Sequence, residues 1–285
     1  MDRMNTHGAM QGSWTESEAI RPRFRPAPAK KLPSGIERER RILTQAVELD
    51  VIPELLARYR AAPFARLLMT HRHVTQLTGL VLEHDGPGAL AFVTALYDQG
   101  ADPESLLLDL LAPSARALGT MWEDDLCDFT QVTIGLWRLQ SALRALAPAE
   151  PPPAAHAPRV VLVPLPGEPH TFGLDMVHAF FARAGWNAWT GPVESSAALR
   201  SLVADQSVAI LGFSLACDER LDDVRREIAS VRRASCNPAI AIMVGGPGFT
   251  ANPSLAGAVG ADATAYDARD AVTRATALLA DRQKP

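Results

Sequence analysis

Cysteine is scarce in this chain: Cys127, Cys217 and Cys236 are the three in 285 residues. They are too few and too scattered for a disulfide framework or a zinc site, and such a count fits a reducing, cytoplasmic setting. No apolar run approaches the roughly 18 residues that a bilayer span needs. The polar start Met1-Asp2-Arg3-Met4-Asn5 holds no apolar h-region, so neither secretion nor a membrane partner is expected. A basic excess is missing too: 28 Lys+Arg against 32 Asp+Glu give a formal charge of −4. A dedicated nucleic-acid binder carries the opposite balance, so DNA contact is expected only indirectly or through a local basic segment. There is no catalytic triad, no Walker-type loop and no Rossmann Gly-x-Gly-x-x-Gly, which points away from an enzyme.

What is present divides into four parts. Residues 1–35 form an arm that alternates Pro22, Pro26, Pro28 and Pro33 with Arg21, Arg23, Arg25, Lys30 and Lys31. It is too poor in apolar groups to offset its own ordering entropy, and reads as a solvated arm that contacts at most a partner or phosphates. Residues 36–147 read as a helical bundle. Apolar residues recur at helical spacing in Ile42-Leu43-Ala46-Val47, in Leu55-Leu56-Tyr59 and in Val74-Leu77-Leu80-Val81. Asp85-Gly86-Pro87-Gly88 is a turn, Gly100 a helix stop, and Asp102-Pro103 a cap with a first-turn proline. Pro113 is expected to kink or split the helix that carries Leu106, Leu107, Leu110 and Leu111. Asp128 and Gln131 have the spacing of a capping box for a last helix. Residues 148–158, with Pro151-Pro152-Pro153, form a semi-rigid linker.

From residue 159 the pattern alternates. Short apolar runs at 160–163, 186–189, 208–213, 240–244 and 263–266 are separated by helical stretches. This predicts a Rossmann-like, flavodoxin-like α/β domain over 159–285 with five parallel strands. Three clusters then fall at the carboxyl ends of its first, third and fourth strands, where such sheets bind ligands. They are Gly167-Glu168-Pro169-His170-Thr171-Phe172-Gly173, Gly212-Phe213-Ser214-Leu215 and Gly245-Gly246-Pro247-Gly248. Glycines admit a bulky planar group close to the backbone. Ser214 offers one hydroxyl. His170 is an imidazole on a loop, able to ligate a metal, with Glu168 two residues earlier as its carboxylate partner.

Taken in order, these clusters resemble the cobalamin-binding domain of B12-dependent proteins, whose signature is Asp-x-His-x-x-Gly, Ser-x-Leu, then Gly-Gly. Here Glu168 stands for the aspartate, and the leucine, Leu215, is shifted next to Ser214. The resemblance implies that His170 is the axial cobalt ligand, that Glu168 supports it, and that Ser214 with Leu215 contacts the nucleotide tail. It also implies that Thr171 lies beside the ligand and that Gly173, Gly245 and Gly246 make room for the tail. In the same proteins a helical bundle caps the corrin. Leu118-Gly119-Thr120-Met121-Trp122 resembles its Gly-x-x-Trp segment, which places Trp122 on the upper face. Family photoreceptors for adenosylcobalamin carry Glu-His where this chain has Val132 and Thr133, so a small upper ligand is expected.

Over residues 36–280 the arrangement resembles the AerR/PpaA group, cobalamin-binding antirepressors of photosynthesis genes. That resemblance implies a light-responsive regulator binding hydroxocobalamin, with methylcobalamin as a second form, and acting on a repressor of the CrtJ/PpsR kind. Two other readings stay open: a corrinoid carrier subunit of a methyltransferase, and a haem sensor using the same histidine. His71 and His73, two apart on one helix, read as surface residues. His178 reads as surface or packing, and His7 as a distant alternative for the upper axial position. Cys127 has no neighbour that would lower its pKa.

Overall fold

The computed structural model describes residues 67–83, 87–146, 153–154, 156–168, 171–216 and 220–282. The expectations for the arm, for the helical stretches before residue 67, and for His7, His170 and Cys217 lie outside the described residues.

The helical part consists of α1 (His71–Leu82), α2 (Pro87–Asp98), a long helix and α5 (Phe129–Leu146). The long helix runs through α3 (Pro103–Ser105), a π-helical segment (Leu106–Leu111) and α4 (Ala112–Glu123). The sequence signals for its ends hold. Asp102 accepts the Ser105 N–H at 3.3 Å with Pro103 in the first turn. Gly100, at φ +91°, ends α2. Asp128 and Gln131 exchange side-chain bonds with each other's backbone N–H, at 2.8 and 2.9 Å. Pro113 does not split the helix. The turn before it widens, and the Ala112 N–H reaches back to the Leu107 carbonyl. A wide turn gives the proline ring room and tolerates its missing donor, the usual logic of a π-bulge. Leu106, Leu107, Leu110 and Leu111 stay fully buried through it.

The α/β part carries β1 (Arg159–Pro164), α6 (Phe172–Arg183), β2 (Asn187–Thr190), α7 (Ser196–Asp205) and β3 (Ile210–Ser214). It continues with α8 (Leu221–Ala234), β4 (Ala241–Gly245), α9 (Pro247–Ala251), α10 (Ser254–Val259), β5 (Ala263–Thr264) and α11 (Ala268–Arg282). The strands form one parallel five-stranded sheet in the order β2-β1-β3-β4-β5. The order reverses at β1, so a switch point lies between β1 and β3. Alternation along the strands sorts their side chains onto two faces. Val161, Val163, Leu211, Phe213, Ile242 and Val244 face α7, α8 and α10. Val160, Leu162, Ile210, Ala241 and Met243 face α6 and α11. The short helices α9 and α10 had no counterpart in the sequence reading.

Helix α6 is buried on two sides. Leu174 and Phe181 join the sheet core, while Met176, Ala179 and Phe180, with Ala268 of α11, join the leucines of the bundle in one cluster. The bundle therefore packs directly on the α/β domain. Burying Phe180 alone contributes about 2–3 kcal/mol by transfer scales. Polar bridges flank this contact: Gln140 of α5 donates to Asp175 of α6 at 3.1 Å, and Arg269 of α11 pairs with Glu104 of α3 at 2.8 Å.

Burial raises the Asp175 carboxyl above the usual carboxylate range, although the Gln140 hydrogen bond, His178 and Arg144 pull it down. A raised carboxyl binds more protons folded than unfolded, so it costs stability as pH rises through its folded pKa. Asp175→Asn is accordingly expected to raise the urea midpoint at neutral pH. The gain should vanish once the pH falls below the ordinary carboxylate range. An equal gain at both pH values would show that the carboxyl is not the cause.

Candidate functional site

The three carboxyl-end clusters meet in one register row. Pro164 of β1 pairs with Ser214 of β3, and Ser214 with Gly245 of β4. Alternation puts all three on the face under α6 and α11, directly above Leu162, Gly212 and Met243. The row is therefore a proline, a serine and a glycine, with little side-chain volume, above an apolar floor. A Cβ at Gly245, or at Gly173 in the first turn of α6, would meet no atom within 4 Å. Of the three glycines expected to make room, these two are open and Gly246 is not. The Ser214 hydroxyl, half-buried, makes no hydrogen bond among the described residues.

The loops above the row are tied by backbone. Leu165 N–H donates to the Ser214 carbonyl at 3.0 Å, and Leu215 N–H to the Gly245 carbonyl at 3.1 Å. Leu215 is buried and anchors its loop in the opposite core. Gly246, at φ +122°, lies against that loop so closely that a Cβ would stand 1.9 Å from the Leu215 oxygen. The two adjacent glycines thus have different work: Gly245 leaves space and Gly246 permits a close approach.

After β1 the chain turns at once. Pro166 is followed by Gly167 at φ +82°, and Glu168 N–H closes on the Leu165 carbonyl at 2.8 Å. This is the pattern of a type II turn, proline then a left-handed glycine. It delivers the Glu168 side chain, 9% exposed, to the β3–α8 loop, where its carboxylate accepts the Ala216 N–H at 3.3 Å. Arg220 closes the same gap by donating to the Pro166 carbonyl at 2.6 Å. Thr171 precedes α6, and its carbonyl accepts the Asp175 N–H at 3.0 Å.

Trp122 and Val132 sit on the bundle. Trp122 lies in the last turn of α4, which closes by a Schellman pattern with Asp125 at φ +56°. Leu126 N–H reaches the Met121 carbonyl at 2.8 Å, and Asp125 N–H the Trp122 carbonyl at 3.1 Å. The Trp122 ring is 50% exposed, not a core residue, with Leu126 and Phe129 also exposed nearby in sequence. Val132 is half-buried in the first turn of α5. Among the described residues no hydrogen bond or core cluster joins either to the rim.

The remaining candidates are structural. His73 accepts the Thr70 N–H at its Nδ1, 3.2 Å away, in the start of α1. His71 stays beside Thr75, and His178 approaches the Ala188 carbonyl at 3.3 Å. No metal-holding group of His, Cys, Asp and Glu occurs among the described residues. Burial, and then Asp128, raises the Cys127 thiol, as expected for an inert cysteine. Two participants escaped the sequence reading: Ala216, which acts through its backbone, and Arg220, whose carbonyl partner is 54 residues away. No described helix is long and apolar enough to cross a membrane.

Residues 158–275 match the family model for the B12 binding domain. A curated relative from Rhodobacter capsulatus, an uncharacterised 20.5 kDa protein in the bchF-crtJ intergenic region, is 35% identical over 85 residues. That match covers 29% of this chain and 44% of the relative, so this chain spans less than half the relative's length. Among solved structures, the monomethylamine corrinoid protein of Methanosarcina barkeri superposes with a TM-score of 0.62 at 16% identity, covering 73% of this chain and 98% of that one. A cobalamin-binding protein from Desulfitobacterium hafniense DCB-2 gives 0.40 at 16% identity, over 72% and 98%. The first shares the fold over more of the chain than the family model covers, helices of the bundle included. The open rim at the switch point lies inside the stretch, residues 158–275, that is similar to the B12 binding domain.

Proposed function

We propose that the protein is a cobalamin-binding transcriptional regulator of the AerR/PpaA kind, not an enzyme. In this reading it holds hydroxocobalamin through His170 and relieves a repressor of the CrtJ/PpsR type. The observation that carries the cofactor half is the open row Pro164–Ser214–Gly245 at the switch point. Gly245 and Gly173 leave space for a flat, bulky tail, and Leu162 with Met243 provides an apolar floor. Ser214 supplies a hydroxyl to a polar atom in an otherwise apolar slot. The regulatory half is supported by the relative named for its place between bchF and crtJ.

The residues divide the work. His170 would present an imidazole nitrogen to cobalt, and Glu168 would hold the segment that carries it. Thr171 fixes the far end of that segment at α6. Trp122, exposed at the end of α4, offers a rigid apolar wall for the other side of the ring system. Val132 and Thr133 bring no charged group, which suits a small upper ligand. What cobalamin would supply is axial cobalt chemistry, whose alkyl forms are broken by light. A repressor would then sense the liganded surface through differential affinity, with a coupling reciprocal between cofactor and partner.

The test incubates the full-length protein with hydroxocobalamin in the dark, followed by gel filtration and a visible spectrum, with haemin in parallel. DNA binding by a CrtJ/PpsR-type repressor is then measured with apo and loaded protein. Co-eluting corrin bands, and weaker DNA binding only with loaded protein, are the expected results. Retention of haemin in place of corrin would overturn the cofactor. Loaded protein without effect on the repressor would overturn the regulatory role and return attention to a corrinoid carrier.

A further inference from the structure

We propose that the exposed apolar strip of α5, with the acidic turn before it, is a docking surface for a cationic amphipathic helix of a partner protein. Phe129 is 73% exposed and Trp137 61%, and with exposed Thr133 between them they stand at four-residue spacing on one line of α5. The line is about 12 Å long at the helical rise. Leu126, in the turn just before, is 68% exposed. Aromatic residues make up only 6% of the chain, so two of them exposed on one helix line mark an interaction surface. An elongated apolar strip fits an opposed helix with anchors on successive turns better than a single inserted side chain.

Charge selects the occupant. Glu123, Asp124, Asp125 and Asp128 surround Leu126 in the chain, and all four are exposed. Among the described residues the side chains of the first three have no hydrogen-bond or ion-pair partner. No Lys, Arg or His occurs between Arg116 and Arg138. The strip therefore carries uncompensated negative charge at one end, which attracts a cationic helix and repels nucleic acid and anionic membranes. The turn is held at both ends, by the Schellman bonds of α4 and by the Asp128–Gln131 box of α5, with Cys127 buried between them. A surface fixed in advance has little ordering cost on binding. At the other end Trp137 stands one turn before Gln140, which donates to Asp175 in α6. The strip thus runs from the acidic turn to the helix whose first turn borders the rim. The identity of the partner rests on the regulatory reading above. The DNA-contacting elements of a repressor are cationic, and an acidic surface that holds one of them keeps it off DNA.

The experiment uses the full chain after dark incubation with hydroxocobalamin, and two readouts. The first is calorimetric binding of a Lys/Leu peptide of helical amphipathic spacing, against a Glu/Leu peptide of the same spacing. The second is the effect on DNA binding by a CrtJ/PpsR-type repressor. The variants are Phe129→Ala, Leu126→Ser and the neutralised turn Glu123→Gln/Asp124→Asn/Asp125→Asn, with Asp205→Asn as an exposed charge control on α7. The Lys/Leu peptide should bind the wild type and the control, and the Glu/Leu peptide neither. Phe129→Ala should weaken the peptide at least about fivefold at low and high salt alike, the behaviour of an apolar anchor. The neutralised turn should weaken it about tenfold at low salt and little at high salt, where exposed charges are screened. Both variants should lose the effect on the repressor in the same proportion. Equal peptide binding by all variants would overturn the surface, as would equal binding of the two peptides. Peptide binding lost with the repressor effect intact would overturn it as the partner's seat. A wild type that is dimeric on gel filtration, with Phe129→Ala monomeric, would make the occupant a second copy and overturn the proposal likewise. Peptide binding lost in the variants, with no repressor effect even in the wild type, would leave the surface standing and defeat the regulatory reading alone. Should Phe129→Ala fail to fold, Leu126→Ser carries the same comparison.

Discussion

Gly246→Ala and Gly245→Ala, one residue apart, are expected to fail in opposite ways. At Gly246 the new methyl would stand 1.9 Å from the Leu215 oxygen and 2.9 Å from its carbonyl carbon. The backbone there, φ +122° and ψ 171°, is also a region that only glycine populates readily. Overpacking against main chain and forced dihedrals together should cost at least about 3 kcal/mol, a large share of the 5–15 kcal/mol typical of a domain. Thermal unfolding of the apo variant should start well below wild type. At Gly245 nothing lies within 4 Å of the added methyl, so apo stability should stay within about 0.5 kcal/mol. Its cost falls on the ligand: the methyl occupies the row beside Ser214, and hydroxocobalamin affinity should drop. Equal melting of the two variants would refute the assignment of a packing role to Gly246. Wild-type affinity in Gly245→Ala would remove the nucleotide tail from this row.

His170→Ala should leave folding intact and abolish retention of the corrin. On either side of His170 in the sequence, Glu168 accepts the Ala216 N–H and the Thr171 carbonyl accepts the Asp175 N–H. A loop substitution of this kind moves stability by about 0.5 kcal/mol or less. Loss of an axial ligand removes more than loss of a supporting partner, which costs about 10–100-fold, so affinity should fall by about 100-fold or more. Gel filtration after dark incubation separates the outcomes directly. A variant that elutes with corrin and the wild-type spectrum would take His170 out of the site. If the variant loses the corrin yet still relieves the repressor, the cofactor and the regulation are uncoupled.

Local chemistry made much of this structure legible. The capping box at Asp128 and Gln131, the Asp102-Pro103 start and the stop at Gly100 follow from two or three adjacent residues, and each formed as read. The strands were legible because two-sided burial writes continuous apolar runs. The row at the rim was legible because the three clusters fall at equivalent strand ends. Pro113 did not split its helix because proline rules assume a regular α-turn, and a π-turn precedes it here. Helices α9 and α10 are too short for periodicity to speak. The Glu168–Ala216 and Arg220–Pro166 bonds join positions 48 and 54 residues apart, and one of them uses a backbone donor that any residue would provide. The packing of bundle on α/β domain was written in α6, whose Met176, Ala179, Phe180 and Phe181 are too apolar for a helix with one covered side. The proline-rich stretch before β1 drew attention to separation of the halves instead.

That double-sided helix has a mechanical consequence. A rod gripped along its whole length by two close-packed bodies cannot tilt or slide by small amounts, because dense interiors resist continuous deformation. Its first turn borders the open rim, while its flank is embedded among bundle leucines. Strain applied at the rim therefore has two outlets. The rod transmits it whole, turning bundle and α/β domain against one another as rigid blocks, or the grip breaks and the two melt together. Graded, local loosening is not available to such a helix, so any signal that leaves the rim by this route is all-or-none.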